Sequence, residues 1–330
     1  MNRILFLLTN LLFCTTIFCQ EKKGHVEKID PALDAIISVD ARVEIIADGF
    51  DWCEGPLWVE SQKMLLFSDV PQNVIYKWTE KKGKEIYLKP SGYTINIPRG
   101  GEIGSNGLTL SKDGKLIICM DGDRRITAMN TSLQYPKPIF TTLTDNYNGK
   151  KFNSPNDLVY NSKGDLFFTD PPYGLEKNMD DPLKELPYQG IFKIKKGGGL
   201  VLLTDSITRP NGIGITPDQK TLLIANSDPL KPYWYAFDFG EGDKLINPRI
   251  FYDASEAAKK EAGMPDGLKI DSKGNVFATG PGGVWIFNKN GKLLGKIKFD
   301  GLVSNCSLSA DEKTIYLTAD MYVLRVKMRK

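Results

Sequence analysis

The stretch Ser154-Pro155-Asn156-Asp157-Leu158 decides the fold, because altered copies of it recur five more times along the chain. Aligning on Asn156 brings up Glu54 in Glu54-Gly55-Pro56-Leu57-Trp58, Asn106 in Ser105-Asn106-Gly107-Leu108 and Asn211 in Arg209-Pro210-Asn211-Gly212-Ile213. Asp266 in Met264-Pro265-Asp266-Gly267-Leu268 and Asn305 in Ser304-Asn305-Cys306 complete the set. Every copy places a carboxylate or an amide at the same position, at successive spacings of 52, 50, 55, 55 and 39 residues.

Most copies are followed by an alternating apolar segment, a polar turn and a second apolar strand. Lys112-Asp113-Gly114 runs into Lys115-Leu116-Ile117-Ile118, and Ser162-Lys163-Gly164 into Asp165-Leu166-Phe167-Phe168. A repeat of this length, filled by short strands and turns, is the signature of a propeller blade. The copies therefore predict an all-β, six-bladed β-propeller over 43–330 with a metal site on its axis. Val43-Glu44-Ile45-Ile46, ahead of the first full repeat, is predicted to join the short last blade as its outer strand and so close the ring.

Residues 1–19 hold Arg3, an apolar run from Ile4 to Phe13 and a small-residue end, the pattern of a secretory signal peptide. Export to the periplasm or the medium is the expectation, with no membrane-spanning segment after signal removal; a lipid anchor at Cys19 fits poorly because Phe18 precedes it. Residues 20–42 are polar and mixed, which predicts an N-terminal arm that packs little. The net charge of +3 arises from 43 basic and 40 acidic residues that are interspersed, which argues against nucleic acid as a partner. Cys53, Cys119 and Cys306 remain after signal removal, an odd number without a zinc or disulfide spacing. Cys53 and Cys306 flank equivalent positions of the first and last repeats, and buried free thiols are the favoured reading over a bridge.

The one histidine, His25, lies in the arm, which removes Ser-His-Asp, Cys-His and histidine-zinc chemistry. The innermost strand of each blade lines the central channel, so residues at its leading end converge. Glu54, Asn156, Asn211 and Asp266 then form an all-oxygen cage suited to a hard divalent cation. Ca2+ is favoured because it accepts amide oxygens and irregular geometry, with Mg2+, Mn2+ or Zn2+ as alternatives. The insertion 91–104 is expected to be a long surface loop on one face of the ring, and the insertion 170–188 to wall a pocket.

These phrases, with Phe168-Thr169-Asp170-Pro171-Pro172-Tyr173-Gly174 and Thr279-Gly280-Pro281-Gly282-Gly283-Val284-Trp285, resemble the gluconolactonase branch of the senescence marker protein/gluconolactonase/luciferin-regenerating enzyme family over roughly residues 43–326. The resemblance implies a six-bladed propeller with one divalent cation in its channel that hydrolyses sugar lactones, some members acting on organophosphates. It maps the family's metal ligands onto Glu54, Asn156, Asn211 and Asp266, and its general base onto Asp266. Asp157 is the second candidate for taking a proton from water. Asn106 and Asn305 are expected to hydrogen-bond sugar hydroxyls, with Asp121, Arg124 and Tyr173 at the rim. The chain departs from family patterns at Met120–Arg125 and at Ser154, both expected substrate contacts. A phosphotriesterase-like hydrolase using the same ion and a non-catalytic secreted binding propeller with a structural ion are the competing readings.

Overall fold

A computed structural model describes residues 24–328 and is built almost wholly of β-strands. The signal-peptide and Cys19 expectations fall outside the described residues. Six antiparallel sheets, five of four strands and one of five, follow one another along the chain as the blades of a propeller; Asn146–Tyr147 and Lys150–Lys151 add a small two-stranded hairpin.

Each blade begins at its innermost strand, Cys53–Val59 in blade one and Ser105–Leu110 in blade two, and runs outward. The second strands, such as Met64–Asp69, Leu116–Met120 and Leu166–Asp170, are buried along their whole length. A strand covered on both faces by neighbouring blades reads as a continuous apolar run instead of an alternating one. Aromatic rings fill several seams. Trp58 of blade one stacks on Tyr316 of blade six at 5.0 Å, and Trp234 of blade four meets Trp285 of blade five at 5.5 Å.

Val43–Asp48 pairs antiparallel with Tyr322–Lys327 as the outer strand of the last sheet. Gly24–Lys28 pairs in turn with Leu293–Phe299, giving blade five its fifth strand. Far from packing little, the segment after it buries Leu33 and Ile37 completely against Leu294, Ile297 and Met328. Charged and polar residues interrupt its apolar ones, so no clear strand or helix period marks the segment, and of its apolar residues Val26, Leu33 and Ile37 are the buried ones. Burying an aliphatic side chain is worth about 1.5–3 kcal/mol, and ordering the segment offsets part of that gain. Deleting residues 24–40 should lower Tm by several degrees without loss of strand signal in circular dichroism; an unchanged Tm would show that the segment contributes no net stability.

Candidate functional site

A β-bulge places the recurrent polar side chains. In four blades the register between the first and second strands slips next to that residue: between Glu54 and Leu57, Ser105 and Leu108, Pro210 and Ile213, and Val303 and Asn305. A bulge kinks its strand and re-aims a side chain. The glycine after the polar residue is a packing requirement. A Cβ on Gly55 would lie 2.0 Å from the Asn106 carbonyl oxygen, one on Gly107 2.6 Å from that of Asn156, one on Gly212 2.3 Å from that of Asp266, and one on Gly267 2.0 Å from Cγ of Asn305. Each of these glycines abuts the next blade's polar residue.

Side chains complete the circuit. Asn305 Nδ2 donates to Glu54 Oε2 at 3.3 Å, and Thr169 Oγ1 to the Asn211 carbonyl at 2.7 Å. Further hydroxyls bridge neighbouring blades: Ser68 to the Asn106 carbonyl, Ser227 to that of Pro265, Thr279 to that of Ser304, and Ser304 to that of Cys53. The six polar positions, 251 residues apart at the extremes, thus stand in order around one axis.

The residue closing the second strand usually holds the incoming loop. Asp69 accepts from the Asp51 and Trp52 amides, and Asp170 from those of Asn153 and Ser154. In blade two that role passes to Ser91, whose hydroxyl takes the Ser105 amide. The equivalent acid, Asp121, is released: its Oδ2 sits 3.5 Å from Asn106 Nδ2, and its buried Oδ1 has no partner.

Asp266 Oδ1 and Asn106 Oδ1 are likewise buried without a hydrogen-bond partner. Burial, reinforced by the Asp157 and Glu102 charges, pushes Glu54 up to about 8. Asp266 is pushed well above the ordinary carboxylate range by burial and then by Glu54, Glu102 and Asp157. Asp121 is raised for the same reasons, burial first and then Glu102 and Glu54. Such a gathering of acids is short of positive charge and of hydrogen-bond donors.

The remaining predicted residues divide. Tyr173 is carried to the mouth by the blade-three insertion, which Ser154 anchors: its hydroxyl donates to the Pro171 carbonyl at 2.6 Å and accepts the Gly174 amide at 2.8 Å. The Tyr173 hydroxyl is buried near Asp266, and burial raises it above its ordinary value. Arg124 does not join the rim. Its guanidinium donates to the Phe152 carbonyl at 2.6 Å and lies 3.8 Å from Glu185, tying blade two to blade three. Asp157 lines the channel but is engaged, accepting from the Leu158 amide at 2.8 Å and lying 3.6 Å from Lys269 Nζ across the ring. Cys53, Cys119 and Cys306 are free and buried.

Sequence reasoning missed Glu102, a half-buried residue of the loop 91–104 whose charge acts on Glu54, Asp266, Asp121 and Tyr173. It is the loop's one carboxylate, and that was the available signal.

A divalent cation fits this chemistry. Asn211 commits Nδ2 to Ser227 Oγ at 3.0 Å, which leaves its Oδ1 as an acceptor, and Asp266 Oδ1 is unpartnered. Among the described residues no three acids, histidines or cysteines gather at ligating distance, so a cation here would rest on two carboxylates and two amides.

The model of the SMP-30/gluconolactonase/LRE-like region matches residues 52–320. A gluconolactonase of Zymomonas mobilis is 37% identical over 312 residues, covering 93% of this chain and 86% of the relative. The solved structure of a gluconolactonase from Xanthomonas campestris superposes with a TM-score of 0.79 at 26% identity, covering 92% of this chain and 95% of that one. Regucalcin of Xenopus laevis is 22% identical over 83% of this chain and 85% of its own. The chain belongs to the SMP-30/gluconolactonase/LRE-like family.

Proposed function

We propose that the protein hydrolyses a sugar lactone to the aldonic acid, with Asp266 as the base and a divalent cation, Ca2+ in the favoured case, held by Glu54, Asn156, Asn211 and Asp266. The observation that carries this reading is the ordered circuit of six polar residues with Glu54 and Asp266 on one axis. The 37% identity to a gluconolactonase over nearly the whole chain supports the lactone as substrate. A cation bound there supplies positive charge that polarises a carbonyl and acidifies water.

The chain's own residues do the rest. Asp266 takes a proton from the attacking water as the new C–O bond forms and returns it to the ring oxygen as the ring C–O bond breaks, leaving the open-chain hydroxy acid. Asn305 orients Glu54 through its 3.3 Å bond, and Ser227 orients Asn211. Asn106, Asp121 and Tyr173 border the space the sugar would occupy. Lys269 lies 3.6 Å from Asp157, and Asp157 acts on Asp266 through its charge.

The apolar leader Ile4–Phe13 supports export, with 20–42 and 43–330 following as arm and propeller. Pairing of Val43–Asp48 with the last strand supports ring closure at that point.

A pH-indicator assay over a panel of aldonolactones and a phosphotriester, with chelated and cation-restored protein, tests the reading. Lactone turnover lost on chelation and regained on restoring the cation is expected. Turnover of the phosphotriester alone, or a chelation effect on Tm with no turnover of any lactone, would replace it with one of the competing readings.

A further inference from the structure

The loop 91–104 is fastened at both ends and in the middle. Asn73 Oδ1 accepts the amides of Ser91, Gly92 and Tyr93, and Gly104 returns through its amide to the Val70 carbonyl at 2.8 Å. Between these anchors Arg99 reaches over the mouth, donating to the Gly174 carbonyl of blade three at 2.9 Å and to the Gly122 carbonyl of blade two at 3.2 Å. These carbonyls belong to the residues next to Tyr173 and Asp121. The Ile103 carbonyl lies so close to Gly122 that a Cβ there would sit 2.3 Å away. Glu102 is therefore held between the anchors at Arg99 and Gly104, near enough to Glu54, Asp121 and Asp266 for its charge to act on them.

An acid brought over other acids needs donors from elsewhere. The neighbouring Asn106 Oδ1, Asp121 Oδ1 and Asp266 Oδ1 are all buried acceptors without partners. One cation does not require acceptors on the rim loop as well as on the axis, whereas a ligand with several hydroxyl groups supplies donors in both places. A carboxylate is acceptor-only and makes strong charge-assisted bonds to such groups.

We infer that Glu102, positioned by Arg99, accepts hydrogen bonds from hydroxyl groups of the bound lactone and selects polyhydroxylated rings over deoxygenated ones. This rests on the lactonase reading above and deepens it. Arg99 is a positioning residue, since it acts only by holding the loop.

The experiment compares glucono-δ-lactone with δ-valerolactone, the same ring without hydroxyls, on cation-loaded wild type, Glu102→Gln, Arg99→Ala and the double variant. Removing the Glu102 charge changes the field at Glu54 and Asp266 for both substrates alike, so the readout is the ratio: kcat/KM for the hydroxylated lactone should fall about tenfold to a hundredfold further than that for δ-valerolactone, chiefly through KM. Arg99→Ala should show the same split more weakly, and the double variant should be no worse than Glu102→Gln. Equal losses on both substrates, or no loss on either, would overturn the inference. If wild type turns over neither lactone, the lactonase reading fails. Glu102 is then judged by calorimetric binding of anhydroglucitol, which keeps ring and hydroxyls but has no carbonyl: weaker binding to Glu102→Gln supports the assignment and equal binding removes it.

Discussion

Asp266→Asn and Glu54→Gln should each reduce lactone hydrolysis by about two to four orders of magnitude, the range associated with a positioned acid or base. Both changes keep side-chain shape and strip one negative charge from the axis. The folded protein without added cation should become more stable in both, because each removes a buried carboxylate repelled by its neighbours. For Glu54 the pH dependence has a definite sign. Its folded value of about 8 lies above the ordinary 4.5, so its contribution to stability is complete below about 4.5 and is lost as pH rises through about 8. Urea titrations without cation should show wild-type stability falling across that window more steeply than Glu54→Gln. Undiminished turnover in either variant would remove the proposed site, and identical pH slopes would remove the electrostatic account.

Gly55→Ala should be among the most destabilising single changes in the molecule. Gly55 has φ of +52°, and its Cβ would stand 2.0 Å from the Asn106 carbonyl oxygen, with backbone as the obstacle. The left-handed conformation costs a non-glycine residue about 1–2 kcal/mol, and overpacking adds about 1–3 kcal/mol. Gly83→Ala is the matched control: φ is +66°, but a Cβ there meets nothing within 4 Å, so only the conformational cost applies. Chemical denaturation of both variants should give a clearly larger loss for Gly55→Ala. Equal losses would mean that the inner strands tolerate separation, contrary to the packing around the axis.

The blades and the polar circuit were legible because the same physical demand recurs six times. Each inner strand must bring a polar side chain to the axis, and four of them must let the next blade approach within a glycine's width. Those demands leave the x-Gly phrase in the sequence at blade spacing. Turn chemistry would explain Asn-Gly equally well, yet Asn106-Gly107 and Asn211-Gly212 lie within strands. What stayed hidden depended on direction and on single-copy features. Arg124 adopts φ of +60°, and nothing in its neighbours reveals that its guanidinium turns to Phe152. Nor does the sequence around Asp157 reveal that Lys269 lies 3.6 Å from it, from another blade. Glu102 belongs to an insertion present in one blade only, so no repeat could mark it.

The outer edges of blades five and six have a temporal consequence. Gly24–Lys28 and Val43–Asp48 are made well before their partners Leu293–Phe299 and Tyr322–Lys327, which lie more than 260 residues later in the chain. Contacts so distant in sequence are slow to form, and until they form two strands present unsatisfied backbone to whatever surrounds the nascent chain. Truncated or stalled products should accordingly be sticky even when the first four blades are complete.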